Sequence, residues 1–175
     1  MHGFKIIIVL LILAFFLQGC TTSQTSQDTD ILSHLLDDYL KSIENGIPND
    51  MCLTIYYSTP YVSADMPVDE ERLIIWGSTS EDASIAGKVV IDSTQLTSRI
   101  DQLQKIDAAT LQKPIIKRYK DLRIYYYIET ESAGKVLEVG MFGRGGTTFV
   151  NDVQVMYNPV FFDLVSPELE ELWGD

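Results

Sequence analysis

Three neighbouring segments with a period of two most constrain what this chain can fold into. "DLRIYYYIETE" (Asp121–Glu131), "KVLEVGMF" (Lys135–Phe142) and "TTFVNDVQVMY" (Thr147–Tyr157) place apolar residues at alternate positions. A strand turns successive side chains to opposite faces, so this alternation specifies a sheet with one face on a core. The segments follow one another as antiparallel strands, and Asn151-Asp152 is a tight-turn pair within the third.

The hairpin of the first two segments fixes which residues meet. Leu122, Ile124, Tyr126 and Ile128 share one face of the first strand, and Leu137, Val139 and Met141 share one face of the second. Both sets must face the same core, so residues opposite each other have numbers with an odd sum. A short turn at Ala133-Gly134 makes that sum 267, placing Ile128 opposite Val139 and Tyr126 opposite Met141. On the other face Tyr127 then lies over Gly140, Tyr125 faces Phe142, Arg123 faces Arg144, and Glu129 faces Glu138. Arg123, Tyr125, Tyr127, Phe142 and Arg144 form a candidate binding face of the kind enriched at interfaces. If a helix covers that face, it is a second core layer instead.

Glu129 and Glu138 form a candidate carboxylate pair, because like charges directly opposite are destabilising. A bound cation would relieve the repulsion, as would a raised pKa on one carboxyl that suits it to acid/base work. A neighbouring Lys135 or Lys88, or solvent screening on an exposed face, would relieve it too.

The rest of the chain supplies helices and further strands. A first helix over about residues 30–45 presents Leu32, Leu35, Leu36, Tyr39, Leu40 and Ile43 on one face, and Gly46 with Pro48 ends it. "CLTIYY" (Cys52–Tyr57), "RLIIWG" (Arg72–Gly77) and "KVVID" (Lys88–Asp92) read as strands, with a proline-bearing acidic loop over Ser58 to Glu70. Ser93 is placed to cap a second helix carrying Leu96, Ile100, Leu103 and Ile106. Pro159 stands at the first position of a last helix, which Ser166-Pro167 restarts and which ends at Trp173. The expected fold is α+β: a single domain with a mainly antiparallel sheet of about six or seven strands and three helices.

The residues for familiar chemistries are sparse. His34 is the one histidine beyond the first residues, and helical spacing puts it with Asp37, Asp38 and Lys41 away from the apolar face. No zinc set of the His/Cys type can form, and a Ser–His–Asp apparatus would need His34 in a cleft. "GMFGRGGTT" (Gly140–Thr148) is glycine-rich, but Gly146 occupies the lysine position of a phosphate-binding loop and a strand pattern follows. Cys52 begins a strand with no basic group near it in sequence, which suits a small buried hydrophobe better than a nucleophile. The expectation is a domain with no cofactor and no metal, an interaction module rather than an enzyme.

The amino terminus gives an address. Lys5 precedes an unbroken apolar run of 12 residues, Ile6 to Leu17. That run is short for a membrane span and right for the core of a signal peptide. Leu17-Gln18-Gly19-Cys20 resembles the lipobox of bacterial lipoproteins. The resemblance implies cleavage between Gly19 and Cys20 and a diacylglycerol on the Cys20 sulfur. Residues 1–19 are then a removed signal peptide, 20–29 a polar tether, and 30–175 the domain. The implied location is a bacterial cell membrane, lipid-anchored on its extracytoplasmic face. In a double-membrane bacterium Thr21 after the cysteine reads as sorting to the outer membrane. The remainder resembles small bacterial lipoproteins in general type and transfers no functional residue besides Cys20.

With Cys20 lipidated, Cys52 has no partner for a disulfide. Loss of Lys5 leaves 12 basic against 25 acidic residues, a net charge of 12 − 25 = −13. Such a charge repels nucleic acid and anionic lipid as a whole. The expected partners are the membrane, through Cys20, and a protein, peptide or envelope ligand. The alternatives are a cell-envelope hydrolase using Glu129 and Glu138, and a structural subunit of a lipoprotein complex.

Overall fold

The alternating segments become the centre of one sheet. The computed structural model describes residues 31–61 and 66–170. Its elements run α1 (Asp37–Ile43), β1 (Cys52–Ser58), α2 (Glu70–Thr79), β2 (Ala86–Ile91), α3 (Ser93–Thr97) and α4 (Ile100–Leu103). They continue with β3 (Ile124–Thr130), β4 (Gly134–Met141), β5 (Thr148–Val150), β6 (Val153–Val155) and α5 (Pro159–Asp163). Short 3₁₀ turns lie at Ala108–Thr110 and Ser166–Glu168. The six strands form one sheet in the order β2-β1-β3-β4-β5-β6, every pairing antiparallel. The fold is α+β.

The deep face of the sheet follows the period-two pattern. Leu53 and Ile55 of β1, Ile124, Tyr126 and Ile128 of β3, and Leu137, Val139 and Met141 of β4 are all buried in one cluster. Leu36, Tyr39, Leu96, Leu103, Ile106, Phe161 and Phe162 from the helices and turns close over them. Two buried tyrosines carry their polar ends to backbone acceptors. Tyr39 donates to the Leu103 carbonyl at 2.7 Å and Tyr126 to the Phe161 carbonyl at 2.9 Å, as burial demands. The Arg99 guanidinium grips the Glu168 carboxylate with both nitrogens and also donates to the Leu164 carbonyl at 3.0 Å, tying the C-terminal segment to the α3–α4 turn.

The first helix is broken where it was expected to be continuous. Residues 31–34 are helical and α1 begins only at Asp37. The Leu35 carbonyl accepts instead from the Asn151 side chain at 2.7 Å. Leu32, Leu36, Tyr39 and Ile43 remain buried. The second expected helix also divides, into α3 and α4, and Asp92 rather than Ser93 caps it, in a capping box with Gln95.

The segment Arg72–Gly77, expected as a strand, is the middle of helix α2. A short apolar run does not separate the two states by periodicity, and the start signal decides here. The Asp69 carboxylate accepts from the Arg72 amide at 2.9 Å, and Glu70 and Glu71 complement the positive end of the helix dipole. Leu73 and Gly77, four residues apart, face the sheet and are buried.

The β3–β4 register has the required odd parity but a different sum. Ile128 faces Leu137, Tyr126 faces Val139, Tyr127 faces Glu138 and Tyr125 faces Gly140, a sum of 265. The chain turns through Glu131, Ser132 and Ala133, with Gly134 at φ 69° already paired to Thr130. A bulge follows, in which Glu129 faces Lys135 and Val136 is the extra residue. The bulge lets Val136 and Leu137 both enter the deep core. The β5–β6 hairpin matches its sequence signal: Asn151 and Asp152 both have positive φ, at 44° and 68°.

Candidate functional site

The second face of the sheet is covered over only part of its area. Tyr56, Tyr125, Phe149 and Leu122 form a small core with Val68 and Leu73 from the α2 side, and Trp76 and Tyr127 pack at its margin. The rings of Tyr56, Tyr125 and Tyr127 sit 6.0–6.4 Å apart. Beyond this layer, between α1, α2 and the β5–β6 turn, a cleft of about 210 Å³ opens.

Charged groups line the cleft in mutually bonded sets. The Tyr125 hydroxyl donates to Glu138 Oε2. The Lys135 ammonium donates to the same Glu138 oxygen at 3.0 Å and to the Tyr125 hydroxyl at 3.0 Å. It also lies 4.5 Å from the centre of the Tyr127 ring, a cation–π distance. Across the cleft the Lys120 ammonium donates to Glu70 Oε1 at 2.9 Å and to Asp152 Oδ1, over the Phe149 ring. Glu70 Oε2 is shielded from solvent and takes no hydrogen bond among the described residues. Asn151 holds the frame: its side-chain oxygen accepts from the Glu138 amide at 2.8 Å while its amide group bonds Leu35.

These environments move the titrations. Burial first, and the bond to Glu138 second, push the Tyr125 hydroxyl well above its usual value. Tyr127 is also raised, chiefly by burial. Burial alone would lower the Lys120 ammonium, and the Asp152 and Glu70 carboxylates more than reverse that, so it stays charged.

The residues singled out from sequence do not gather in one place. Tyr125 and Tyr127 join the tyrosine layer. Arg123 is buried beneath it, donating to Asp121 at 2.7 Å and to the Leu122 carbonyl at 2.9 Å, with Phe142 5.3 Å away across its guanidinium. Arg144 lies over Phe162, a residue of the deep core. Because β4 ends at Met141, Phe142 and Arg144 fall in the turn beyond it and cannot oppose Tyr125 and Arg123. The expected flat Tyr/Arg platform is therefore a partly covered core layer with a cleft beside it.

Glu129 and Glu138 are not opposite each other, since the observed register and its bulge set Tyr127 against Glu138 and Lys135 against Glu129. The lysine foreseen as a neighbour, Lys135, bonds Glu138. Glu129 Oε1 instead accepts from the Cys52 thiol at 3.5 Å. Burial, then that carboxylate, push the Cys52 thiol up, which disfavours the reactive thiolate. His34 is exposed and bonds Asp37 at 2.7 Å. Gly19 and Cys20 lie outside the described residues. Among the described residues, no three His, Cys, Asp or Glu side chains come together in a way that could hold a metal.

The sequence reading missed Lys120, Glu70, Asp152 and Asn151 as site residues. Lys120 and Glu70 are 50 positions apart and meet only because α2 packs on the second face. Comparisons with protein-family models, with curated proteins and with solved structures find no match to this chain.

Proposed function

We propose that the protein is a lipid-anchored, extracytoplasmic binding domain whose cleft receives a donor-rich polar group of a peptide or envelope component. One observation carries the choice of site. Among the described residues Glu70 Oε2 lies shielded at the cleft without a hydrogen bond, and an unsatisfied buried acceptor costs about 1–3 kcal/mol. A ligand hydroxyl or ammonium placed there recovers that cost. The cleft volume suits one sugar or side-chain-sized group rather than a large cofactor. Anchoring rests on the resemblance of Leu17-Gln18-Gly19-Cys20 to a lipobox and on the apolar run before it. Two acyl chains are needed for stable attachment, and a diacylglyceryl group supplies two.

The test is photo-crosslinking in living cells from a reactive residue at the exposed cleft position Asp38. The expected result is a defined adduct, identified by mass spectrometry, that Glu70→Gln and Lys135→Gln each abolish. An adduct unaffected by both substitutions would overturn the cleft as the binding site. The hydrolase reading loses its motive, because the register no longer opposes Glu129 to Glu138.

A further inference from the structure

The segment Gln112–Lys120, "QKPIIKRYK", differs in chemistry from the rest of this acidic chain. Lys113, Lys117, Arg118 and Lys120 are four of the chain's 13 basic residues, and no acid occurs between Asp107 and Asp121. The loop also carries its apolar side chains outward: Ile115 is 92% exposed, Ile116 69% and Tyr119 90%. It is held in that posture at both ends. The Gln112 carbonyl accepts from the Met156 amide at 2.7 Å, and the Arg118 amide donates to the Gln154 side chain at 3.0 Å. Two isoleucines are exposed between these pins, with Lys113 before them and Lys117 and Arg118 after them in sequence.

A second observation places this loop. Ile31, where the described chain begins, lines a groove of about 470 Å³ together with Lys113, Lys117, Arg118 and Phe149. Among the described residues lining that groove the one carboxylate, Asp152, is bonded to Lys120. Ile31, the first described residue, therefore lies beside the basic loop. The ten residues between Cys20 and Ile31 reach at most about 40 Å when extended.

We infer that the Gln112–Lys120 loop docks on the anionic bilayer surface to which Cys20 is tethered. Ile115, Ile116 and Tyr119 enter the headgroup boundary while Lys113, Lys117 and Arg118 meet lipid phosphates. This rests on the lipid-anchored reading. The net negative charge of the chain does not oppose it. Screening limits exposed charges to about 8 Å at physiological salt, so the bilayer meets the local cations first. An interfacial tyrosine and snorkelling lysines are the residues such a boundary selects. Docking would fix the domain's orientation and hold its cleft at a set height above the membrane.

The experiment uses the full chain purified from membranes and reconstituted in vesicles, with Cys52→Ser and one added cysteine carrying a nitroxide. The label is placed at Ile116→Cys, or at Val90→Cys as control, on the edge strand β2 at the other end of the sheet. With phosphatidylglycerol present, the label at 116 should gain accessibility to oxygen and lose it to a water-soluble nickel chelate, while the label at 90 should not. High salt should reverse the change. Lys113→Gln, Lys117→Gln and Arg118→Gln together should also reverse it, weakening surface association on the order of a hundredfold. A label at 116 that stays as water-accessible as that at 90 would overturn the inference. So would a label at 116 immobilised without vesicles, which would mean that another protein copy covers the loop. Label uptake by the Cys52→Ser chain with no added cysteine would show Cys20 unacylated, which separates failure of the anchor from failure of the loop.

Discussion

The two faces of the sheet are built from the same strands and do different work. The deep face alternates aliphatic residues under α1, α3, α4 and α5 and is closed. The second face, offset by one residue along every strand, carries tyrosines and charges under the single helix α2. A face covered by four helices specifies the fold. A face covered by one leaves a margin where Lys135, Glu138, Lys120 and Glu70 remain accessible. The period of two thus gives one face a closed aliphatic core and the other a partly covered polar margin.

The sharpest way to break this contrast is to truncate matched positions. Ile55→Ala on the deep face should cost about 2–5 kcal/mol, read as a fall of the urea midpoint. Tyr127→Phe on the second face should cost under about 1 kcal/mol, because its ring stays and its side chain is only half-buried. Equal losses would mean that the second face is as structural as the first.

The seating of α2 gives the next effect. A Cβ on Gly77 would stand 2.5 Å from the Gly87 carbonyl oxygen, which is backbone and cannot move aside. Gly77→Ala should therefore cost about 1–3 kcal/mol and change the fluorescence of neighbouring Trp76. An unchanged midpoint would show that α2 rests on the sheet more loosely than the contact implies.

Alkaline pH provides a smaller, graded test. Burial raises Tyr39 and Tyr126 on the deep face, and Tyr125 and Tyr127 on the second. Unfolded tyrosine loses its proton near pH 10, whereas these groups keep theirs when folded. Their contribution is whole below about pH 10 and is lost as pH rises above it. The urea midpoint should fall over that range, and Tyr126→Phe should flatten the fall more than Tyr127→Phe. A midpoint that stays level would contradict the burial of both tyrosine sets.

The smallest effect concerns Cys52. Its thiol should react with iodoacetamide more slowly than that of an unfolded chain at the same pH, and Glu129→Gln should speed it. Identical rates would mean that Glu129 does not face the thiol.

Much of the sheet was legible because alternation over β3, β4 and the β5–β6 hairpin is long and unambiguous. The odd parity between β3 and β4 was readable, and the register was not. A turn of three residues with Gly134 at positive φ, and the Val136 bulge, shift pairing by two places while leaving Leu137, Val139 and Met141 on the deep face. The state of Arg72–Gly77 was hidden by the likeness of short buried helices and strands, although the Asp69-Glu70-Glu71 start was there to read. The cleft was hidden more deeply. Glu70, Lys120, Lys135 and Asp152 meet through the packing of α2 and the β5–β6 turn, and no local spacing encodes that meeting.

The most direct test of the division between faces is one substitution read in two assays. Glu70→Gln should leave the unfolding free energy from urea titration within about 1 kcal/mol of the unsubstituted chain, since it removes one partner of a partly exposed ion pair. The same change should abolish the in-cell adduct formed from position 38. An adduct that persists undiminished in the stable Glu70→Gln protein would contradict the assignment of recognition to the second face.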